Sequence, residues 1–194
     1  MINAKISGVV VEEPQYSHNV HERVYYKFVL GSKRDSGVID YIDVIVPKMS
    51  IVMPGVGNRV IVQGDLRSFV SEENKTCPYV YARFIENYTD PYDVNEVSGD
   101  GIIFAKHELR MTAKSNNPII DFFMKSERPH GLTSVSAVAW FQWSDVVNNM
   151  EIGTEVDFCG RFQSREYKKV CEDGSLISRT THEIAISEIR AKEE

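Results

Sequence analysis

The sequence predicts an all-β protein made of two small barrels in tandem, with a short helix. Two features of its 194 residues carry this prediction. Short segments alternate between apolar and polar residues with period two, as half-buried strands do. The stretch GTEVDFCGRFQSREYKK at 153–169 also matches GNRVIVQGDLRSF at 57–69, which begins 96 residues earlier, since 153 minus 57 is 96. A repeat of about half the chain length indicates a duplication and two domains of about ninety residues each.

The first predicted domain spans residues 1–88. Segments in which β-branched and aromatic residues alternate with polar ones predict five strands, at 4–13, 23–30, 39–46, 59–69 and 79–85. Gly8 lies inside the first strand, where a barrel strand bends sharply. Residues 14–22 are expected to form a polar loop, and PKMSIVMPG at 47–55 has room for one helical turn at most.

An acidic linker is predicted at 89–100, because this segment holds four acidic residues, no Lys or Arg, and both proline and glycine. The second predicted domain, 101–194, repeats the order of the first. Its strands are expected at 101–107, 118–125, 133–141, 153–169 and 179–189. Ser144 is a suitable N-cap for a helix over 145–152, between the third and fourth strands. Five strands in this order favour a five-stranded Greek-key barrel, the OB-fold, over a sandwich of about seven strands.

Side chains on one face of these strands are expected to form the two cores. The predicted core residues are Phe28, Leu30, Phe122, Met124, Phe158 and Phe162. Near the predicted helix, three aromatic residues are expected to pack against it: Phe123, Phe141 and Trp143.

Composition excludes several classes of protein. The hydrophobic fraction of 42% and charged fraction of 26% are ordinary for a soluble domain, and no apolar run is long enough to span a bilayer. The first residues do not resemble a secretory signal, so we expect a cytoplasmic protein without membrane contact. Cys77, Cys159 and Cys171 lack CxxC spacing and are expected to be reduced thiols, with no metal site. No catalytic motif is found, so neither an enzyme nor a cofactor is expected.

The fourth strand of the second domain presents a cationic and aromatic row that favours binding of a nucleic acid. Alternation directs four residues inward and four outward. The inward set is Val156, Phe158, Gly160 and Phe162, and the outward set is Arg161, Gln163, Arg165 and Tyr167. The net charge of −6 argues mildly against a generally basic surface, although four of the acidic residues lie in the linker. Cations that contact phosphates, together with rings that stack on bases, are what non-specific single-strand binding requires.

The motifs GRFQSREYKK and THEIAIS, with GIIFAKHELRMT, SERPHG and AVAWFQWSDVV in matching order, resemble the bacterial single-stranded-DNA-binding protein family. The resemblance covers most of the chain and is nearest to the tandem two-OB members of Gram-positive bacteria and their mobile elements. It implies that Trp140 and Tyr167 stack on bases. The first domain departs from the pattern, because Pro47 stands where the second has Trp140, and Phe69 lies two residues short of the position matching Tyr167.

The resemblance and the outward row together predict a sequence-nonspecific single-stranded-DNA-binding protein of replication, recombination or repair, associated with the nucleoid. The candidate contact residues in the second domain are Lys125, Arg128, Trp140, Arg161, Arg165, Tyr167, Lys168 and Lys169. Those in the first are Lys27, Lys33, Arg34, Tyr41, Arg67 and Phe69. A homodimer with four barrels is expected, formed by pairing of exposed strand-one edges. Because Lys192, Glu193 and Glu194 include no aromatic residue, we do not expect partners to dock on the acidic, aromatic C-terminal tip that many family members use.

Three alternatives stay open at this stage. The ligand can be RNA, because stacking does not detect the 2′-hydroxyl. The chain can instead be an OB-fold adaptor that binds protein in a replication or conjugation complex. The basic residues can be solvated edge positions, and Trp140 can be buried beneath the helix or at a subunit contact.

Overall fold

The computed structural model describes residues 1–48, 53–129, 131–170 and 175–192, with the side chains of 167–170 and 179 left out. Within these residues the chain forms twelve strands and one helix. The elements are β1 Asn3–Val10, β2 Gln15–Val20, β3 Arg23–Lys33, β4 Ile39–Pro47, β5 Arg59–Val70, β6 Thr76–Asn87, β7 Asn95–Lys106, β8 Arg110–Met111, β9 Pro118–Arg128, β10 Gly131–Trp140, α1 Gln142–Asn149, β11 Glu155–Val170 and β12 Leu176–Ala191. Among the described residues, no helix has the length and apolar character that a membrane span requires.

The strands close into two five-stranded barrels, which confirms the predicted fold class. In the first barrel β1 pairs antiparallel with both β3 and β5, and β4 pairs parallel with β6. In the second barrel β7 pairs antiparallel with β9 and β11, and β10 pairs parallel with β12. One parallel pair in an otherwise antiparallel closed sheet is the Greek-key pattern of the OB-fold. All six predicted core side chains are buried: Phe28, Leu30, Phe122, Met124, Phe158 and Phe162.

The two barrels are joined by their first strands. β1 pairs antiparallel with β7 from Asn3 opposite Ser98 to Ile6 opposite Asn95. β7 therefore begins at Asn95, so residues 95–100 of the predicted linker are strand residues. The strand-one edges expected to pair between two copies, at 9–13 and 101–105, are instead paired within their own barrels: Val9 lies opposite Gly31 and Arg59, and Ile102 lies opposite Lys125 and Glu155. This corrects the expected route to a dimer. The division into domains 1–88 and 101–194 stays a prediction.

The acidic segment before β7 is held against the first barrel by Asp93. Its carboxylate is nearly buried and accepts hydrogen bonds from the Arg59 guanidinium at 2.6 Å and from the Lys33 backbone N–H at 2.7 Å. The Ser7 hydroxyl donates a third, at 3.2 Å. A buried carboxylate is tolerated when it is paired and fully hydrogen-bonded. These hydrogen bonds therefore fix this part of the predicted linker against the first barrel and orient β7 for pairing with β1.

Glycine is required where the strand-four bulge of each barrel approaches strand five. The register shifts between Gln63 and Gly64 in β5 and between Cys159 and Gly160 in β11. A Cβ at Gly64 would lie 1.9 Å from the Tyr81 carbonyl oxygen, and one at Gly160 would lie 2.4 Å from that of Ala185. Both distances exclude any side chain, which explains why these two glycines recur in the sequence repeat.

Two local predictions were wrong. Residues 15–20 form the edge strand β2 and not a loop, joined to β3 by a tight turn in which His21 and Glu22 both have positive φ. The apolar–polar alternation that predicts a strand is missing from this polar segment, because an edge strand that faces solvent needs no apolar face. The helix begins at Gln142, and Ser144 does not cap it, since the Ser144 hydroxyl donates to the Phe141 carbonyl.

Candidate nucleic-acid interface

The barrels contact each other a second time through an approximately two-fold symmetric pair of hydrogen bonds. The Tyr41 backbone N–H on β4 donates to the Ser164 hydroxyl on β11 at 3.0 Å. Reciprocally, the Ser134 N–H on β10 donates to the Ser68 hydroxyl on β5 at 2.9 Å. Ser68 and Ser164 are equivalent in the sequence repeat. The third strand of each barrel thus rests on the fourth strand of the other.

An ion pair fills the contact on the β11 side. The Arg34 guanidinium donates to both carboxylate oxygens of Asp40, at 2.7 and 2.6 Å, and the Ser164 backbone N–H donates to the same carboxylate at 2.9 Å. The Asp40 side chain is buried. Its hydrogen bonds raise the pKa of Arg34 against the lowering effect of partial burial, so the guanidinium stays charged. Arg34 and Tyr41, both predicted to contact DNA, therefore lie beside the joint between the barrels.

The outward row of the fourth strand of the second barrel is only partly open. Gln163 is buried, and its side-chain amide donates to Glu183 at 2.9 Å. Arg161 is half-buried and donates to Gln163 at 3.0 Å. Burial lowers the pKa of Arg161, and the nearby positive charge of Arg34 lowers it further. The expectation that this row forms one exposed face is wrong at Arg161 and Gln163, because the first barrel covers them.

The outer part of that row begins at Arg165. Its side chain is about half-exposed and pairs with Glu183 at 3.2 Å. Tyr167, Lys168 and Lys169 continue β11 in register with β12, but their side chains lie outside the described part of the structure. Their predicted contacts stay predictions.

A groove of about 1040 Å³ runs over the outer face of the second barrel and is partly walled by the first. Five aromatic residues line it, and the rings of three of them, Phe104, His107 and Phe123, make one cluster; the others are Phe122 and His182. The Phe123 ring centroid lies 6.0 Å from that of Phe104 and 5.8 Å from that of His107. Phe123 was expected to pack against the helix, and that expectation is wrong. The sequence signal was its alternation with buried Phe122 and Met124, which directs Phe123 outward.

Three cations lie along this groove. They are Lys75, which is contributed by the first barrel, and Arg110 and Arg165. All three cations are in ion pairs: Lys75 with Glu73, Arg110 with Asp121 at 2.6 Å, and Arg165 with Glu183 at 3.2 Å. The carboxylates of Asp43 and Glu108 also line the groove. Flat rings bordered by cations at a concave surface are suited to stacked bases and their phosphates.

Trp140 lies at the end of β10, on the same face as this groove. It is half-buried, and its backbone is in register with Ile119, which is in turn in register with Arg110. Side chains directly opposite one another in neighbouring strands point to the same side. Arg110 and Trp140 therefore flank Ile119. The outward orientation predicted for Trp140 agrees with this register, whereas Trp143 packs against the core and Phe141 is exposed.

The remaining candidates are distributed over the first barrel and the C-terminal part of β9. Lys27 is exposed and pairs with Asp43 at 2.8 Å, and Lys33 is exposed. The Arg67 guanidinium lies 3.5 Å from the ring centroid of Tyr81. Phe69 is exposed, with its ring centroid 6.0 Å from that of Tyr79. Lys125 and Arg128 on β9 are half-buried. Sequence reasoning missed Tyr79 and Tyr81, although strand β6 alternates outward at both positions.

Comparison with known proteins identifies solved structures of the same fold. No family model and no curated protein matches the sequence. The wild-type single-stranded DNA binding protein from Thermus aquaticus is similar over 100% of this chain and 94% of its own, with a TM-score of 0.78 and 15% identity. A deletion mutant of that protein gives 0.79 over 100% and 95%, also at 15% identity. The N-terminal domain of PriB from Thermoanaerobacter tencongensis matches 45% of this chain and 97% of its own at 26% identity, with a TM-score of only 0.41. The likeness to the Thermus protein establishes a shared fold across the whole chain.

The ion pair at the barrel joint gives a first prediction. Replacing the buried carboxylate in Asp40→Ala leaves a partly buried guanidinium and the Ser164 N–H without their acceptor. We expect the free energy of unfolding, measured by urea denaturation, to fall by about 3 kcal/mol. The matched control is Asp43→Ala, which removes the half-exposed partner of Lys27 and should cost less than about 1 kcal/mol. Equal losses in the two variants would contradict a structural role for the Arg34–Asp40 pair.

Proposed function

We propose that this protein binds single-stranded DNA without sequence preference, in replication, recombination or repair. The observation that carries the proposal is the groove of the second barrel, where Phe104, His107 and Phe123 form an aromatic cluster bordered by Arg110 and Arg165. The shared fold with the Thermus aquaticus protein supports it. So does the family resemblance of the sequence motifs.

The chemistry of the groove favours stacking over reading of base edges. Every nucleobase has a π face, so a ring cluster accepts any sequence. A reader of duplex DNA needs a helix or ribbon that enters the major groove. The described elements at this surface are the faces of strands β4, β6 and β7 to β12 and the segments beside them, and no residue of helix α1 lines it. We propose that the protein acts by binding alone and that its place is with the nucleoid in the cytoplasm.

The salt dependence tests the phosphate contacts. The three groove cations predict a slope of log affinity against log salt of about −2, because each neutralised phosphate of a single strand contributes about −0.7. Anisotropy of a labelled oligo-dT should therefore show a loss of roughly 15-fold between 50 and 200 mM salt. Arg165→Gln should reduce the slope by about 0.7, whereas Arg190→Gln, seven residues along β12 from Glu183, should leave it unchanged.

Two outcomes of this titration would refute the proposal. One is equal affinity for duplex and single strand, and the other is an affinity that does not change with salt. Oligo-U in place of oligo-dT tests RNA as the ligand. If the protein binds no oligonucleotide at micromolar concentration, an OB-fold adaptor that binds protein becomes the better hypothesis.

Trp140 provides a local probe of stacking. In a Trp143→Phe background it is the only tryptophan. A base in face contact should quench its emission as oligo-dT is added. Trp140→Ala should weaken binding by about 1–3 kcal/mol, the contribution of one stacked base, and Trp140→Phe should retain most of the affinity. If Trp140→Ala instead lowers the unfolding free energy by about 3–5 kcal/mol while the folded protein binds as before, the ring is part of the core.

We also propose that two chains associate into a dimer with four barrels. The edges of β1 and β7 are paired within the chain, so a dimer must form through another surface. Phe84 on β6 is 63% exposed and borders a shallow depression lined by Lys5, Arg83 and Glu96, where opposite charges are present for self-association. Light scattering at tens of micromolar should return the mass of two chains, and Phe84→Lys should return that of one. A single-chain mass for the unmodified protein would refute the dimer.

A further inference from the structure

The contact between the barrels has two sides that are equivalent in the fold and different in charge. On the β11 side the β3–β4 hairpin rests on β11, and on the β5 side the β9–β10 hairpin rests on β5. Ser32 lies opposite Asp40 in the first hairpin, and Ser126 lies opposite Thr133 in the second. Both Asp40 and Thr133 are buried. The neutral Thr133 therefore occupies the position of the Asp40 carboxylate.

The arginine that binds Asp40 has an equivalent in the second hairpin. Arg34 and Arg128 each lie two residues beyond the paired serine of their hairpin. Arg34 donates to both carboxylate oxygens of Asp40, and the charge of Glu183 also stabilises its charged form. Among the described residues Arg128 has no ion-pair partner, and its Nε is buried without a hydrogen bond. The second hairpin thus keeps the cation and lacks its counterion.

The second carboxylate is also replaced. Gln163 lies opposite Glu183 on the β11 side, and Arg67 lies opposite Tyr79 in the equivalent pair on the β5 side. A phenol therefore replaces a carboxylate, and a guanidinium replaces an amide. The Asp65 carboxylate on β5 does not compensate for these changes, because it already pairs with Arg67 at 3.2 Å and with a second arginine of β6.

The positive charges of both barrels converge at this side of the contact. Burial raises the pKa of Tyr79, and the charges of Arg67 and Arg128 oppose that rise, so both guanidinium groups act on the same phenol. The Thr133 hydroxyl donates to the carbonyl of Leu66, the residue before Arg67, at 3.3 Å. The second hairpin therefore brings its arginine to the arginine of β5.

Unused hydrogen-bonding groups accompany these charges. The Nε of Arg67, the Nε of Arg128 and the hydroxyl of Ser126 are buried without a partner, and the Ser126 side chain is only 2% exposed. The β11 side has one such atom among its described residues, the Nε of Arg161. Buried polar atoms normally have partners, and arginine donors bind phosphate oxygens strongly. Arg67, Tyr79 and Arg128 are half-buried, so an ion can reach them from solvent.

We infer that the β5 side of the contact binds a tetrahedral oxyanion of the phosphate class, held by Arg67, Arg128 and the Ser126 hydroxyl. The anion supplies the negative charge that Asp40 supplies on the β11 side. Because the two arginines belong to different barrels, the bound anion stabilises their docking. The inference goes beyond nucleic-acid binding, since a free ion is sufficient. The competing explanation is that Arg128 is a hydrated cation that needs no counterion.

Thermal unfolding in inorganic phosphate, with chloride at equal ionic strength as the reference, tests the site. Phosphate also stabilises proteins through its exclusion from their surfaces, so the saturable part of the response is the readout. At ten times the dissociation constant, phosphate should raise the folded-to-unfolded ratio about elevenfold and the midpoint by about 3–6 °C. Arg128→Gln should lose this saturable rise. The control Arg190→Gln, which changes an exposed arginine of β12, should retain it.

Thr133→Asp is the sharper variant, because it restores the carboxylate of the other side. It should raise the midpoint in chloride and abolish the saturable response to phosphate. Should this variant fail to fold, Arg128→Gln decides. An equal saturable response in Arg128→Gln and in the unmodified protein would overturn the inference.

Oligo-dT distinguishes a free ion from a phosphate group of a bound strand. If phosphate gives no saturable response but Arg128→Gln and Thr133→Asp both weaken oligo-dT binding, the occupant is a phosphodiester. If both measurements are unchanged in the two variants, there is no anion site. A protein that binds phosphate and no oligonucleotide would retain the site and refute the proposed function.

Discussion

The antiparallel pairing of β1 with β7 determines the arrangement of the whole molecule. Each of these strands already belongs to a closed barrel, and their mutual pairing joins both barrels into one sheet. Because the pairing is antiparallel and the barrels are repeats, the contact is close to two-fold symmetric. The symmetry then brings the third strand of each barrel onto the fourth strand of the other, where Ser68 and Ser164 accept their reciprocal hydrogen bonds.

This arrangement divides the charged residues of β4 and β11 between two roles. Those near the joint are covered and are used internally, as Arg161 is by Gln163 and Asp40 by Arg34. Those beyond it, beginning with Arg165, face the groove. A buried ion pair contributes little net stability compared with an apolar contact, but it fixes orientation, because any other docking leaves a charge unpaired. The joint therefore specifies the angle between the barrels and keeps the groove open between them.

The duplication has preserved the scaffold and changed the outer face. Both barrels keep the apolar core and the glycine at the strand-four bulge. At the bulge a Cβ would lie only 1.9 Å (Gly64) or 2.4 Å (Gly160) from a carbonyl oxygen of the next strand, so no side chain fits. The outer faces bear no such constraint. There the second barrel has Trp140 and the Phe104–His107–Phe123 cluster, and the first has Tyr25, Tyr81 and Arg67. Stacking on nucleobases tolerates this variation, since any planar group placed on the same surface can serve.

Much of the fold was determined by local patterns in the sequence. Period-two alternation located ten strands, and it identified the buried residues because a strand with one face in a core must place its apolar residues on that face. The pattern does not predict the edge strand β2, because its polar side chains do not alternate with apolar ones. The predicted helix start is also wrong, because the Ser144 hydroxyl donates to the Phe141 carbonyl and does not cap the helix.

For the candidate site, alternation directs Trp140 and Arg165 outward. Alternation cannot distinguish an open face from one covered by the other barrel, which is why the sequence predicts Arg161 and Arg34 as DNA contacts although both lie at the joint. Only the tertiary structure decided which of these faces is covered. It also brought Tyr25, Tyr81 and Arg67 together from three strands. Contacts between residues distant in the chain follow from barrel closure and from docking of the barrels, and these leave no periodic pattern in the sequence.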